Sequence, residues 1–136
     1  MTTDLMALAD FIANHRITMT AERAPHNPNM DDAGTMDHWR VQLRMGRKRL
    51  TTYFSMGVGH KSAKPEADDV LDCLASDAAG FENAESFEGW CDEYGYDPDS
   101  RSAEKIYRQC LEHSLALRAA LGDTLLAELR EVARDY

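Results

Sequence analysis

The sequence predicts a single α+β domain, in which four or five helices cover a small three-stranded antiparallel sheet and mostly follow it in the chain. Alternating apolar and polar residues at 37–56 predict a central β-hairpin, and a shorter alternation at 16–22 predicts a third strand. Residues 65–136 instead carry apolar residues at helical spacing. The 136 residues suffice for one core, with a helix and the sheet in residues 1–64 and the helical part after them.

The hairpin organises the predicted sheet. Glycine at the first central position of a two-residue turn at Gly46-Arg47 is typical of type II′, and this turn would pair Leu43 with Leu50. The inward-facing residues of both arms are predicted to be Trp39, Val41, Leu43, Met45, Leu50, Thr52, Phe54 and Met56. The other face would then be polar and strongly basic.

Helices are predicted wherever apolar residues recur at i, i+3, i+4 and i+7. These segments are 3–14, 66–79, 86–94, 102–121 and a last helix from residue 123. Gly80, Gly95 and Gly122 are expected to end three of them, because glycine favours the left-handed conformation found after many helices. Loops are predicted at 25–34 and 57–62.

Composition and cysteine use indicate a cytoplasmic protein. No apolar run approaches the length of a membrane span, so no membrane contact is expected. No Lys or Arg precedes Arg16, and a secretory signal is therefore not expected. Cys73, Cys91 and Cys110 lack CxxC spacing and stand on apolar helical faces, as expected of reduced, packed thiols.

The formal net charge is −9, but the charged residues are distributed very unevenly along the chain. Residues 40–64 contain seven Lys and Arg and no acid, whereas residues 65–100 contain twelve acids and no Lys or Arg. Carboxylates spread over a helical surface repel one another, so an acidic block without counter-charges has a cost in stability. The two blocks define two candidate surfaces.

The basic candidate surface is the polar face and tip of the hairpin, which could bind phosphates and stack a base. Its residues are Arg40, Arg44, Arg47, Lys48, Arg49 and Tyr53. The same face could dock an acidic protein, or be an ordinary solvated face whose arginines protect an edge and pair with nearby carboxylates.

The acidic candidate surface is predicted on the outer faces of two successive helices, where it could imitate nucleic-acid phosphates. Its residues are Asp68, Asp69, Asp72, Glu82, Glu85, Glu88, Asp92 and Glu93. The alternative is a solvated face that the basic hairpin of the same molecule, or of a second copy in a homodimer, partly neutralises.

No motif for catalysis, a cofactor or a metal occurs in the sequence. The five histidines are scattered without zinc-ligand spacing, and there is no GxSxG, P-loop or GxGxxG. We therefore expect a non-enzymatic protein with no catalytic residue, cofactor or metal. A small enzyme whose site is built from dispersed groups, such as His38 or His60 beside acids, is the third hypothesis.

Three runs of residues carry a resemblance to a known group of proteins: 71–77 (LDCLASD), 87–91 (FEGWC) and 93–97 (EYGYD). Together with the hairpin, the chain resembles a small uncharacterised protein family of tailed phages and prophages over about residues 37–120. The resemblance implies a mobile-element protein in the bacterial host cytoplasm, but no activity or site residue. Small acidic proteins of that origin often inhibit nucleic-acid-handling complexes of the host.

The leading hypothesis is accordingly a phage counter-defence inhibitor of anti-CRISPR or anti-restriction type. It would bind a host nucleoprotein defence complex, either a CRISPR effector or a restriction enzyme. The interface would be the acidic surface or, alternatively, the arginine-bearing hairpin, which would contact an acidic patch or the guide nucleic acid. The first alternative is an accessory protein that contacts nucleic acid directly through the basic hairpin.

Overall fold

The computed structural model describes residues 3–28, 36–57 and 64–133. Its elements are α1 (Thr3–Asn14), β1 (Thr18–Ala24), β2 (Met36–Met45), β3 (Lys48–Gly57), α2 (Ala67–Asn83), α3 (Phe87–Tyr94) and α4 (Arg101–Val132). The strands form one antiparallel sheet in the order β1-β2-β3, so the predicted α+β class is confirmed. No helix within these ranges is long and apolar enough to cross a membrane. Most of the loops predicted at 25–34 and 57–62 lie outside the described residues.

The hairpin has the predicted register. Leu43 pairs with Leu50 and Trp39 with Phe54. Gly46 has a φ of +64°, whereas Arg47 has no positive φ, which is the combination that a type II′ turn requires. Because the side-chain period of a strand is two, this register places the predicted apolar residues of both arms on one face.

The main core lies between the inner face of the sheet and helices α1, α2 and α4. Its largest fully buried apolar side chains are Leu8, Val41, Leu43, Val70, Leu71, Leu74, Leu117, Leu126 and Leu129. A second, smaller core joins α3 to α2 and α4 around Trp90, Cys91, Ala103 and Cys110. Among the described residues, no strand residue belongs to this second core.

One end of the outer sheet face is covered. His38 belongs to the polar positions that alternate with the apolar residues of β2, yet its side chain is buried. Asn27, in the segment that follows β1, is buried as well. His38 Nδ1 lies 2.7 Å from Ser55 Oγ, and Asn27 Nδ2 donates to the same hydroxyl at 3.1 Å. The open part of this face therefore begins at Arg40.

Two of the three predicted glycine stops are confirmed and one is wrong. Gly95 adopts a left-handed conformation directly after α3. Gly122 has a non-helical φ of 77° and ψ of 170°, and it divides α4 into two helical parts. Gly80 does not end α2, which continues to Asn83. A Cβ at position 80 would lie 2.8 Å from Tyr94 Oη, so glycine permits a close approach of α3 there.

The break at Gly122 brings the last ten residues of α4 back onto the main core. Leu121 before the break and Leu126 after it are both buried. On the far side of the break, Glu128 Oε2 lies 3.3 Å from His15 Nε2 at the end of α1. The glycine therefore lets both parts of α4 contribute side chains to the main core.

We predict that Gly122→Ala destabilises the domain by about 1–3 kcal/mol, because its φ and ψ lie in a region that is accessible essentially only to glycine. A Cβ at this position would meet no atom within 4 Å, so the cost comes from the backbone rather than from a clash. Urea denaturation measures the change.

The matched control is Gly89→Ala in α3, where the backbone is helical and the new Cβ would contact only Ser86 Oγ at 3.4 Å. Alanine is the better helix former, so we expect this variant to be neutral or slightly stabilised. Equal unfolding free energies for the two variants would contradict the backbone argument.

Candidate protein-binding site

The residues of the predicted acidic surface do not all lie on outer helical faces. The prediction is wrong for Asp72, which is buried, and for Glu82, whose carboxylate is largely covered by α4. Asp68 and Asp69 are half-buried in the first turn of α2, where the helix dipole favours negative charge. Asp69 also forms a capping box with Glu66.

Glu82 is the carboxylate through which α2 holds both parts of α4. Ser114 Oγ donates to its Oε2, while Arg118 Nη2, at 2.9 Å, and Arg130 Nη2 both donate to its Oε1. Arg118 also donates to Asp123 Oδ1 at 2.7 Å. Because Arg118 precedes the break at Gly122 and Arg130 follows it, these bonds stabilise the angle between the two parts of α4.

The same contacts lower the pKa of Glu82. Burial by itself opposes ionisation, but the hydrogen bonds from Ser114 and Arg130 and the positive charges of Arg130 and Arg118 outweigh it. Glu82 therefore stays ionised at a pH where an ordinary glutamate would begin to protonate. It belongs to the scaffold rather than to the free surface.

Four of the predicted acidic residues remain exposed: Glu85, Glu88, Asp92 and Glu93, which we call the acidic surface. They lie on α3 and just before it. None of the four forms an ion pair with another residue in the described part of the chain. Their charge is thus available to a partner.

The basic residues form a separate surface on the sheet. Arg40, Arg44 and Arg49 are exposed on its outer face, and Tyr53 is half-buried directly opposite Arg40. Arg47 and Lys48 are exposed at the hairpin tip. We call these six residues the basic face.

In the described part of the chain, no ion pair joins the basic face to the acidic helices. Arg44 lies directly opposite Arg49 in the ladder, and its Nε donates to the neutral Gln42 at 3.4 Å. Within the described ranges, none of the five cations of the basic face is in an ion pair. The alternative in which these arginines hold the acidic block of the same molecule therefore has no contact to support it.

Sequence reasoning missed a partly buried hydrogen-bonded chain of Thr52, His113 and Asp77. Nδ1 of His113 lies 2.9 Å from Asp77 Oδ2, and its Nε2 lies 2.9 Å from Thr52 Oγ1. Since an ionised carboxylate only accepts hydrogen bonds, the Nδ1–H donates to Asp77. The chain links α2, α4 and β3, and it gives the inward-facing Thr52 a polar partner.

The three groups follow the order of the hydroxyl–imidazole–carboxylate triad of serine hydrolases. They differ from a catalytic triad in burial and in access from the neighbouring cavity. His113 is only 3% exposed. Asp77 lines a cavity between α2, α3 and α4 whose lining includes neither Thr52 nor His113. That cavity therefore gives a substrate no access to the Thr52 hydroxyl.

The two buried thiols are poor nucleophiles at neutral pH. Burial and the nearby Asp77 carboxylate raise the pKa of Cys110 to about 12. Burial and the carboxylates of Asp92, Asp97 and Glu88 raise the pKa of Cys91. Within the described ranges, no three His, Cys, Asp or Glu side chains are grouped closely enough to hold a metal ion.

Comparison with known proteins finds no match for this chain among protein-family models, curated proteins or solved structures.

We predict that Glu82→Gln lowers the unfolding free energy at pH 7 by about 1–3 kcal/mol, because it leaves Arg118 and Arg130 without their shared carboxylate. A carboxylate with a lowered pKa stabilises the fold above its ordinary value of 4.5, and this contribution is lost as pH falls through the folded pKa. The variant should therefore lose less stability than the wild type on acidification from pH 7 to pH ~3. Urea denaturation across this range measures both effects.

Glu85→Gln is the control, since Glu85 is exposed and forms no ion pair with another described residue. It should leave both the stability at pH 7 and its pH dependence nearly unchanged. A Glu82→Gln variant with the wild-type pH dependence would show that the contacts of Glu82 do not lower its pKa.

Proposed function

We propose that the chain is a non-enzymatic inhibitor of phage or prophage origin that binds a host nucleic-acid-handling defence complex, either a CRISPR effector or a restriction enzyme. The acidic surface would occupy a basic groove that normally holds nucleic acid. The observation that carries this proposal is the exposure of Glu85, Glu88, Asp92 and Glu93 without an ion pair among the described residues.

The acidic surface has a cost to the isolated protein. Glu88 and Asp92 stand four residues apart on α3, and like charges at this spacing destabilise a helix by about 0.2–0.5 kcal/mol. Asp77 and Glu82 have partners on α4, whereas these residues have none in the described part. A basic partner would remove this repulsion. The unpaired charges would then serve partner binding rather than the stability of the fold.

Electrostatic attraction would also determine how the complex forms. Opposite charges on two surfaces speed their encounter, and salt weakens that attraction. The provenance implied by the family resemblance supports a host defence complex as the partner, because nucleoproteins carry the basic grooves that such a surface fits.

We predict that neutralising the acidic surface abolishes most of the inhibition. The variant combines Glu85→Gln, Glu88→Gln, Asp92→Asn and Glu93→Gln. Purified CRISPR effectors and restriction enzymes are titrated with the protein, and target-DNA binding and cleavage are measured. We expect the concentration needed for half-inhibition to rise by about tenfold or more, equivalent to ~1.4 kcal/mol, and inhibition by the wild type to weaken as salt is raised.

A control variant removes the same number of charges from exposed carboxylates elsewhere, by Asp10→Asn, Glu22→Gln, Glu112→Gln and Glu131→Gln. It should inhibit like the wild type if position, rather than net charge, matters. Wild-type protein that leaves DNA binding and cleavage unchanged at large molar excess, across several effector types, would contradict the proposal.

A second candidate function is direct nucleic-acid binding by the basic face. Its support is the placement of Arg44 directly opposite Arg49, since like charges at facing positions destabilise a sheet and a bound phosphate would relieve the repulsion. Tyr53, opposite Arg40, would add a ring on which a base could stack.

We predict for this candidate that Arg44→Gln combined with Arg49→Gln weakens binding of labelled DNA at low salt. The slope of log affinity against log salt should fall by roughly 0.9 for each duplex phosphate that the variant no longer neutralises. Fluorescence anisotropy with single-stranded and duplex DNA measures this. Lys64→Gln with Arg101→Gln is the control, since both residues are exposed and lie outside the sheet. Wild-type protein that binds no DNA at any salt rules the candidate out.

A further inference from the structure

A small cavity between α2, α3 and α4 combines a carboxylate with exposed aromatic rings. Its volume is about 120 Å³. Asp77 of α2, Tyr94 of α3 and Tyr96 just after α3 contribute to its lining, and Ile106 and Cys110 of α4 close its other side. The cavity adjoins the acidic surface without including it.

The Asp77 carboxylate is held in a fixed position with one oxygen available. Its Oδ2 accepts the Nδ1–H of His113, which is fixed in turn by Thr52. Its Oδ1 has no hydrogen-bond partner within the described ranges. The Asp77 side chain is 24% exposed and contributes to the lining of the cavity.

Two tyrosines give the cavity its aromatic side. Tyr94 is 52% exposed and Tyr96 is 38% exposed. Tyr96 stacks on the buried Trp90, with ring centroids 4.9 Å apart and planes 3° from parallel, so its position is set by the second core. A planar cation could bind the carboxylate and stack on the exposed tyrosine rings at the same time.

A larger cavity of about 400 Å³ lies beside the first and shares Gly80 and Tyr94 with it. Glu85 and Glu93 of the acidic surface contribute to its lining. Among the described residues, no Lys, Arg or His lines either cavity. The two adjoining cavities are therefore lined, within the described part of the chain, by three carboxylates and no cation.

We infer that the smaller cavity binds the guanidinium group of an arginine side chain from a basic partner protein, while the larger cavity holds a neighbouring basic side chain. This inference rests on the proposed function, for which it names the anchoring contact. Small-molecule sites span roughly 300–1,000 Å³, so about 120 Å³ suits the head group of one side chain.

Arginine fits this cavity better than lysine for a physical reason. A guanidinium donates charge-assisted hydrogen bonds to a carboxylate and stacks its planar face on a tyrosine ring. A lysine ammonium can satisfy Asp77 but cannot stack on Tyr96 as a flat group.

The test uses a labelled glycine-rich peptide with two arginines, and versions with lysine or citrulline at the same positions. Binding to the full chain is followed by fluorescence anisotropy. The arginine peptide is expected to bind several-fold tighter than the lysine peptide, and the uncharged citrulline peptide much more weakly than both.

Asp77→Asn should weaken binding of the arginine peptide by about tenfold or more, because it removes the charge from the cavity. Asp10→Asn is the matched control, since it removes the same charge from an exposed residue of α1 that lies outside the acidic surface and lines neither cavity. It should change the affinity by less than about twofold, because exposed charges interact weakly through water.

Tyr96→Leu is a second variant, chosen because it keeps an apolar cover over Trp90 and leaves every charge in place. It should remove the preference for arginine over lysine while both peptides still bind. Circular dichroism and urea denaturation confirm that each variant is folded before it is compared.

Equal weakening by Asp77→Asn and Asp10→Asn would overturn the inference, since binding would then depend on the net charge of the protein rather than on the cavity. An unchanged arginine preference in Tyr96→Leu would overturn the stacking contact. Neither result contradicts the proposed inhibition, because that is measured separately with effector complexes. Conversely, cavity-dependent binding of the arginine peptide, without inhibition of any effector, would support the cavity site and contradict the proposed function.

Discussion

The packing of α2 against α4 is the contact on which the rest of the structure depends, because it completes both cores. Val70, Leu71 and Leu74 of α2 and Leu117 of α4 bury fully or nearly so in the main core. Carboxylates of α2 add polar contacts along the same interface. Asp77 and Glu82 are bound by side chains of α4, so the negative charge of these two carboxylates stabilises the fold instead of opposing it. The small cavity exists because α3 packs across the end of this helix pair.

The helix pair also divides the acidic residues into two groups with different roles. Asp77 and Glu82 bind His113, Ser114, Arg118 and Arg130, and they belong to the scaffold. The acidic surface on and before α3 forms no ion pair within the described part of the chain. The basic face lies on the sheet, and its cations are likewise without ion pairs there. In the described part of the chain, the two surfaces of opposite sign are therefore not paired with each other, and charges of this kind can attract a surface of the opposite sign.

Much of the fold was predictable because it follows from local periodicity and turn chemistry. The inward residues of the hairpin, its register and the type II′ turn at Gly46 all follow from alternation and from one glycine. The site was predicted only in part. Glu85 and Glu88 are exposed as expected, but Asp72 and Glu82 are not, because charge counts do not reveal which carboxylates a distant helix will bind.

Local sequence pattern thus determined the class of fold, the pairing of the strands and the separation of positive from negative charge along the chain. Tertiary structure decided which of those charges are free. It also decided that Gly80 serves a close approach of Tyr94 instead of a helix end, and that Asp77 meets His113 across 36 residues. The physical reason is that periodicity records which face of an element is buried, whereas a side chain's partner depends on how separate elements pack.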